Sequence, residues 1–196
     1  YLINNNQQTY FSYARANREP NRTDYEVGSP KPEKLNDFEL GWKFDNQKNK
    51  INVNGYYMRY KDQLVLTGAL NDVGAGVREN SGDSYRLGLE IDAVIALNEM
   101  FYLSPSVALS SNKNIDYKAQ LDGEMRNLGN TNIAFSPNFI ASNAFTYLPN
   151  KNLSISLLTK FVSEQFMGNT DSKFSKLDAY WTNDINFNYE IKPKKW

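Results

Sequence analysis

Apolar residues recur at every second position along most of this chain, and that period belongs to a strand with two unlike faces. In residues 36–44, Phe38, Leu40, Trp42 and Phe44 share one face, and Asp37, Glu39, Gly41 and Lys43 share the other. In residues 84–97, Tyr85, Leu87, Leu89, Ile91, Ala93, Ile95 and Leu97 oppose Arg86, Gly88, Glu90 and Asp92. Residues 153–161 and 181–191 repeat the pattern; 100–111 and 137–148 follow it less strictly. The alternation changes phase near Gly55, where a bulge is expected. Eight strands result, near 8–17, 36–45, 50–66, 84–97, 100–111, 137–148, 152–165 and 179–191. Their connections alternate strictly. Residues 46–49, 98–99 and 149–151 are tight turns, whereas 18–35, 67–83, 112–136 and 166–178 are long and rich in Asn, Asp, Ser, Gly and Lys. This predicts an all-β, antiparallel up-and-down sheet with hairpin turns at one end and large loops at the other.

Two architectures give such strands. A soluble lipocalin-like barrel turns its apolar face inward around a ligand. A transmembrane barrel turns it outward against lipid. Three features weigh toward the membrane. The strands are about ten residues or longer, as a tilted spanning strand requires. Aromatic residues crowd the strand ends: Tyr10, Phe11, Tyr13, Trp42, Phe44, Phe101, Tyr102, Phe145, Tyr147, Tyr180 and Trp181. Such rings favour the membrane–water boundary. Long loops confined to one end are also the habit of outer-membrane barrels. The mean hydropathy of −0.64 does not oppose this, because alternation averages out.

Composition excludes several chemistries. Lys plus Arg and Asp plus Glu are both 22, so no net basic field favours nucleic acid. With no His and no Cys, there is no Ser-His or Cys-His nucleophile and no ordinary zinc or haem site. Gly74-Ala75-Gly76 lacks the third glycine of a dinucleotide motif and reads as a turn. Glu39, Glu90 and Asp92 read as wet, lumen-facing charges alongside Arg86 rather than an acid–base pair. The expectation is therefore a non-enzyme without cofactor or metal.

Tyr13-Ala14-Arg15-Ala16, Arg18-Glu19-Pro20, Pro32-Glu33 and Glu39-Leu40-Gly41 occur in that order, followed by Tyr60-Lys61-Asp62-Gln63 and Gly88-Leu89-Glu90. This series resembles the barrel of TonB-dependent outer-membrane receptors across nearly the whole chain. The form Asn17-Arg18-Glu19-Pro20-Asn21-Arg22 is similar to Bacteroidetes receptors of the iron-complex and cobalamin branch. The resemblance implies a Gram-negative outer-membrane location and a barrel of about 22 strands closed by an N-terminal plug. It also implies uptake of a scarce ligand such as a ferric siderophore, haem or a cobalamin-like complex, driven by the TonB complex. The partners implied are outer-membrane lipid, the plug, TonB and an extracellular small molecule, with no nucleic acid. Residues 1–196 would be part of the C-terminal barrel, without plug, energy-coupling box or final strands, and Trp196 would not be the barrel-closing aromatic. Arg18, Arg22, Tyr25, Arg78 and Arg126 are the rim candidates for the ligand. The competing reading of Arg18 and Arg22 pairs them with Glu19, Glu26 and Glu33 to pin the loop. Eight strands of a wide barrel expose two edges, which predicts edge pairing, in a small closed barrel or between chains. A self-contained small outer-membrane barrel and a soluble ligand-binding barrel are the alternatives.

Overall fold

The computed structural model of the chain describes residues 1–26, 28–121 and 123–191. The expectation for Trp196 lies outside these residues. Eight long strands follow one another: β1 (Gln7–Arg18), β2 (Glu33–Asp45), β3 (Lys50–Lys61), β4 (Ser84–Ala96), β5 (Phe101–Asn114), β6 (Phe139–Asn150), β7 (Leu153–Val162) and β8 (Tyr180–Tyr189). They pair antiparallel in sequence order, with Leu2–Asn4 added beside β1 and Thr131–Asn132 beside β5 to make a ten-stranded sheet.

The register keeps each face uniform. One row across the sheet reads Trp42, Val53, Ile91, Val107, Ala141, Phe161 and Trp181. The neighbouring row on the opposite face reads Lys43, Asn52, Asp92, Ser106, Ser142, Lys160 and Thr182. A soluble sheet would cover the first row. Here Phe11, Leu40, Leu87, Leu109, Leu157, Trp181, Ile185 and Phe187 are all exposed on that face. It is interrupted in mid-strand. Asn143, Thr159 and Asn183 form a polar row within it, and the Thr159 hydroxyl donates to Asn183 Oδ1 at 2.9 Å. Beside Asn143 stands Pro105, where the β4–β5 pairing passes from Asp92–Ser106 to Ile95–Leu103 because proline has no N–H to give.

Several expectations are corrected. No bulge occurs at Gly55, since β3 pairs in unbroken register with β2 and β4. The change of phase arises because Tyr56, Met58 and Tyr60 are apolar residues on the polar face. Tyr56 lies across Gly88 and Tyr10 across Gly41, so close that a Cβ on either glycine would meet the ring within 3 Å. Tyr10 therefore leaves the aromatic edge expected of it, and its hydroxyl donates to Asn54 Oδ1 at 3.0 Å. Tyr102 and Tyr180 also alternate onto the polar face, opposite Thr146 and Val162. The strand expected over 50–66 ends at Lys61. Asp62 adopts φ 54°, and Leu64–Leu70 then pairs with Gly76–Asn80 as a separate hairpin.

The three short turns share one device. Asn46 Oδ1 accepts from the N–H groups of Lys48 and Asn49, Asn98 from Met100 and Phe101, and Asn150 from Asn152 and Leu153. At the other end the long connections carry structure of their own: the helix Arg22–Tyr25, the hairpin just described, the hairpin of Lys118–Leu121 with Glu124–Asn127, and the short pair Gln165–Phe166 with Lys176–Leu177. The buried apolar residues gather there. Leu64, Val65, Val77, Tyr117 and Ile133 are buried in the loops, and Val162 lies at the loop end of β7. Among the described residues, the first and last strands of the sheet are not paired with each other. The sheet stays open, against the expectation of a small closed barrel. Both alternatives that require β1 to close on β8 lose their support.

Candidate functional site

The loops fold over the polar face in two rafts. In the first, Asn21 and Asp24 form a capping box that starts the helix Arg22–Tyr25. The Asp24 carboxylate is only 2% exposed and accepts from Asn21 N at 2.9 Å and from Arg78 N at 3.1 Å. Such charge-assisted bonds fix the helix to the 64–80 hairpin. Asn80 adds bonds to Lys31 N and O, and Glu33 accepts from Leu64 N at 2.8 Å. In the second raft, Asn169 Oδ1 accepts from Ala134 N at 2.9 Å, Asp171 accepts from Asn132 N at 2.9 Å, and Phe135 N donates to Phe166 O at 2.8 Å. Asn114, fully buried, donates to Thr131 Oγ1 at 3.2 Å.

Between the rafts and the upper polar face lies a cleft of about 790 Å³. Arg18 and Glu33, opposite each other at the ends of β1 and β2, stand on its wall beside Tyr60 and Arg86. The first raft contributes Gln63, Leu64, Val65 and Arg78, and the second contributes Tyr117, Ile133, Phe135, Met167 and Asn169. Three guanidinium groups thus face one carboxylate, and that carboxylate already holds a backbone N–H. Apolar and aromatic side chains fill the space between them. Burial pushes the Tyr117 hydroxyl above its ordinary pKa, so it is a neutral hydrogen-bonding group. The arrangement suits a bulky anion with apolar parts.

Of the rim candidates, Arg18 and Arg78 enter the cleft and meet Arg86, expected only as a wall charge. Arg22 is 95% exposed with its Nε 4.0 Å from Glu26, so it lies outside the cleft. Tyr25 is exposed at the end of its helix, and Arg126 stands 3.7 Å from Glu124 on the separate 118–127 hairpin. Glu39, Glu90 and Asp92 share the polar face further from the loops, opposite Tyr56, Asn54 and Asn52. Tyr117, Phe135 and Asn169 were not singled out from the sequence. They lie in Asn- and Asp-rich loops with no sustained period to mark them.

The whole chain, residues 1–196, matches the family described as TonB dependent receptor-like, beta-barrel. No curated protein matches it. Among solved structures, the chain is similar to the copper transporter OprC, with 19% identity and a TM-score of 0.72 over 97% of this chain and 30% of that one. It is similar to the siderophore receptor PiuA from Acinetobacter baumannii, with 16% identity, a TM-score of 0.71, and 97% and 28% of the two chains covered. For the ferric yersiniabactin uptake receptor FyuA from Yersinia pestis the values are 14%, 0.68, 96% and 28%. At these identities the likeness is one of fold, and the chain spans about three tenths of each structure's length. The exposed apolar face, the one-sided loops and the family match agree. The chain belongs to the TonB-dependent receptor-like β-barrel family, whose members are transport proteins of the Gram-negative outer membrane and not enzymes.

Proposed function

We propose that the chain is the C-terminal wall of an outer-membrane receptor that binds a scarce, bulky, anionic nutrient and imports it with TonB-supplied energy. In this reading the exposed apolar face meets lipid and the polar face lines the lumen. The short turns are periplasmic and the two rafts are extracellular. The full barrel has about 22 strands. An N-terminal plug packs against the polar face and carries the contact to TonB, and the edges of the sheet continue into further strands of the same barrel.

The observation that carries the reading is the cleft, in which Arg18, Arg78 and Arg86 gather around one glutamate under the loops. Glycan importers need hydroxyl-matching acceptors and stacking platforms more than cations. The three arginines instead favour the iron-complex branch, with a ferric siderophore as the ligand class. The test is binding of ferric siderophores of opposite net charge to the purified full-length receptor. An anionic tris-catecholate complex should bind, and a cationic trihydroxamate complex should not. Changing Arg18 and Arg78 to Gln should weaken the anion by roughly 10-fold or more for each lost charge-assisted bond. Equal binding of both complexes, insensitive to the arginines, would defeat the assignment.

A further inference from the structure

The apolar face changes character where its strands approach the loops, and it does so on one side only. The outward side chains nearest the loops on β1–β5 are Asn17, Lys34, Lys61, Tyr85 and Lys113. On β6–β8 they are Phe139, Phe161 and Trp181. One outward position further from the loops, Arg15 and Arg59 share a row with Asn36, Tyr85 and Lys113. At the turn end the outward positions hold Phe44, Ile51, Phe101, Tyr147, Ile155 and Phe187, and no charge. All five cations on the outward face of the eight strands thus gather at one corner, and no carboxylate shares that face within the strands.

The chain itself does not neutralise this corner. Lys34 and Lys61 stand directly opposite each other, and facing like charges destabilise a sheet. Both are exposed, as is Arg15, and none of the three is in an ion pair among the described residues. Arg59 has one carboxylate, Asp83, at 2.9 Å. Lys113 donates to the neutral Asn132 Oδ1 at 2.7 Å, and the Asn132 amide in turn donates to Asp171 at 3.1 Å. The cations form two groups. Lys34, Lys61 and Arg59 lie on β2 and β3, and Lys113 lies two strands beyond Arg59 in the same row, a separation of about 10 Å. Between the groups stand the Tyr85 and Ser111 hydroxyls, 3.4 Å apart. Below them, on the apolar face, Leu87, Leu89, Leu109 and Phe139 line an open depression of about 640 Å³.

We propose that this corner of the outer wall is a docking site for a phosphorylated glycolipid of the outer leaflet. One phosphate sits on Lys34, Lys61 and Arg59 and a second on Lys113. The sugar between them rests on Tyr85 and Ser111, and an acyl chain lies in the depression below. Phosphate oxygens accept charge-assisted bonds from Lys and Arg, and a guanidinium can offer two at once. A phospholipid with a single phosphate reaches only one of the two groups. Along the strands the order is cation, hydroxyl, leucine, which is the order of phosphate, sugar and chain in such a lipid. The inference rests on the reading that the apolar face meets lipid with the loops outside. It does not depend on what the cleft binds.

The test is native mass spectrometry of the full-length receptor in detergent, titrated with diphosphoryl lipid A, monophosphoryl lipid A, phosphatidylglycerol and inorganic phosphate. Diphosphoryl lipid A should bind tightest, with the monophosphoryl form weaker by roughly 10-fold. Lys34→Gln combined with Lys61→Gln should weaken the diphosphoryl form by roughly 10-fold or more. Lys43→Gln combined with Lys160→Gln, on the polar face, should leave it unchanged. Should the double variant at Lys34 and Lys61 not fold, Lys61→Gln alone supplies the comparison. Phosphatidylglycerol binding as tightly as diphosphoryl lipid A overturns the proposal, as does binding indifferent to Lys34 and Lys61. Inorganic phosphate that occupies the site and blocks lipid A also overturns it, because the site is then one for free phosphate. Quenching of Trp181 fluorescence by brominated-chain phosphatidylcholine checks the orientation separately. Quenching that Trp181→Phe removes, without lipid A binding, overturns the docking site and leaves the lipid-facing reading intact; no quenching overturns both.

Discussion

The wall and the loop cap of this chain solve opposite packing problems. In the wall, eight strands satisfy their backbone groups by pairing and leave their apolar side chains exposed on one face. In the cap, the backbone is irregular, the apolar side chains are buried, and polar side chains hold the loops together. A sheet that presents apolar residues outward has found its nonpolar environment outside the molecule. A cap that must stand in water has to build one inside. One chain therefore carries two opposite rules for which residues are hidden, and substitutions should separate them.

The largest effect is expected on the apolar face. Ile91→Lys places a charge in the middle of the exposed apolar rows and should cost about 2–4 kcal/mol, read from unfolding of the full-length barrel in lipid vesicles. Ser106→Lys, on the other face beside Asp92, should cost little; equal costs would break the distinction between the faces. In the cap, Asp24→Ala removes the buried acceptor of two backbone N–H groups and should cost about 2 kcal/mol locally. Hydrogen exchange should rise in residues 20–26 and 76–80 while β2 and β3 stay protected. Loss of protection in the strands would mean that cap and wall unfold as one unit.

A smaller effect is expected at Gly41. Alanine there must push the Tyr10 ring aside and forfeit its bond to Asn54, a loss of about 1 kcal/mol. Tyr10→Phe should reproduce the lost bond without the clash, and combining the two changes should cost less than their sum. The smallest effect concerns pH. Burial raises the Tyr117 pKa in the folded cap, so the folded state holds this proton more tightly than the unfolded chain does. The stability it contributes is complete below the ordinary tyrosine value near 10 and is lost as pH rises through the folded value. In a phenolate absorbance titration, Tyr117→Phe should remove one of the late-ionising groups, and an unchanged late phase would contradict the burial argument.

The difference between the regions also explains what could be read from the sequence. Strand positions and the end that bears the loops were legible, because the register repeats one instruction at every second residue. Where the polar face carried large rings, as at Tyr10 and Tyr56, the same rule misled, since the glycines beneath them matter only across strands. The cap was nearly silent. Leu64 and Val65 read as the end of the preceding strand, Tyr117 and Ile133 lie in polar loops without a period, and nothing local shows that these residues are buried. Arg86 looked like an ordinary wall charge because nothing local reveals that Ser136 returns to it from 50 residues on.

The asparagine turns carry a consequence in time. Each closes over two or three residues and needs nothing from elsewhere, so the hairpins they join can form early. The ties of the cap join residues 49, 54 and 55 positions apart and can close only after the strands beneath them are aligned. We expect assembly to run from the turn end upward, with binding competence arriving last. In pulse-labelled exchange during refolding, protection of β2–β3 should precede that of residues 130–136, and the reverse order would contradict it. A chain arrested midway would then have a finished wall and no specificity.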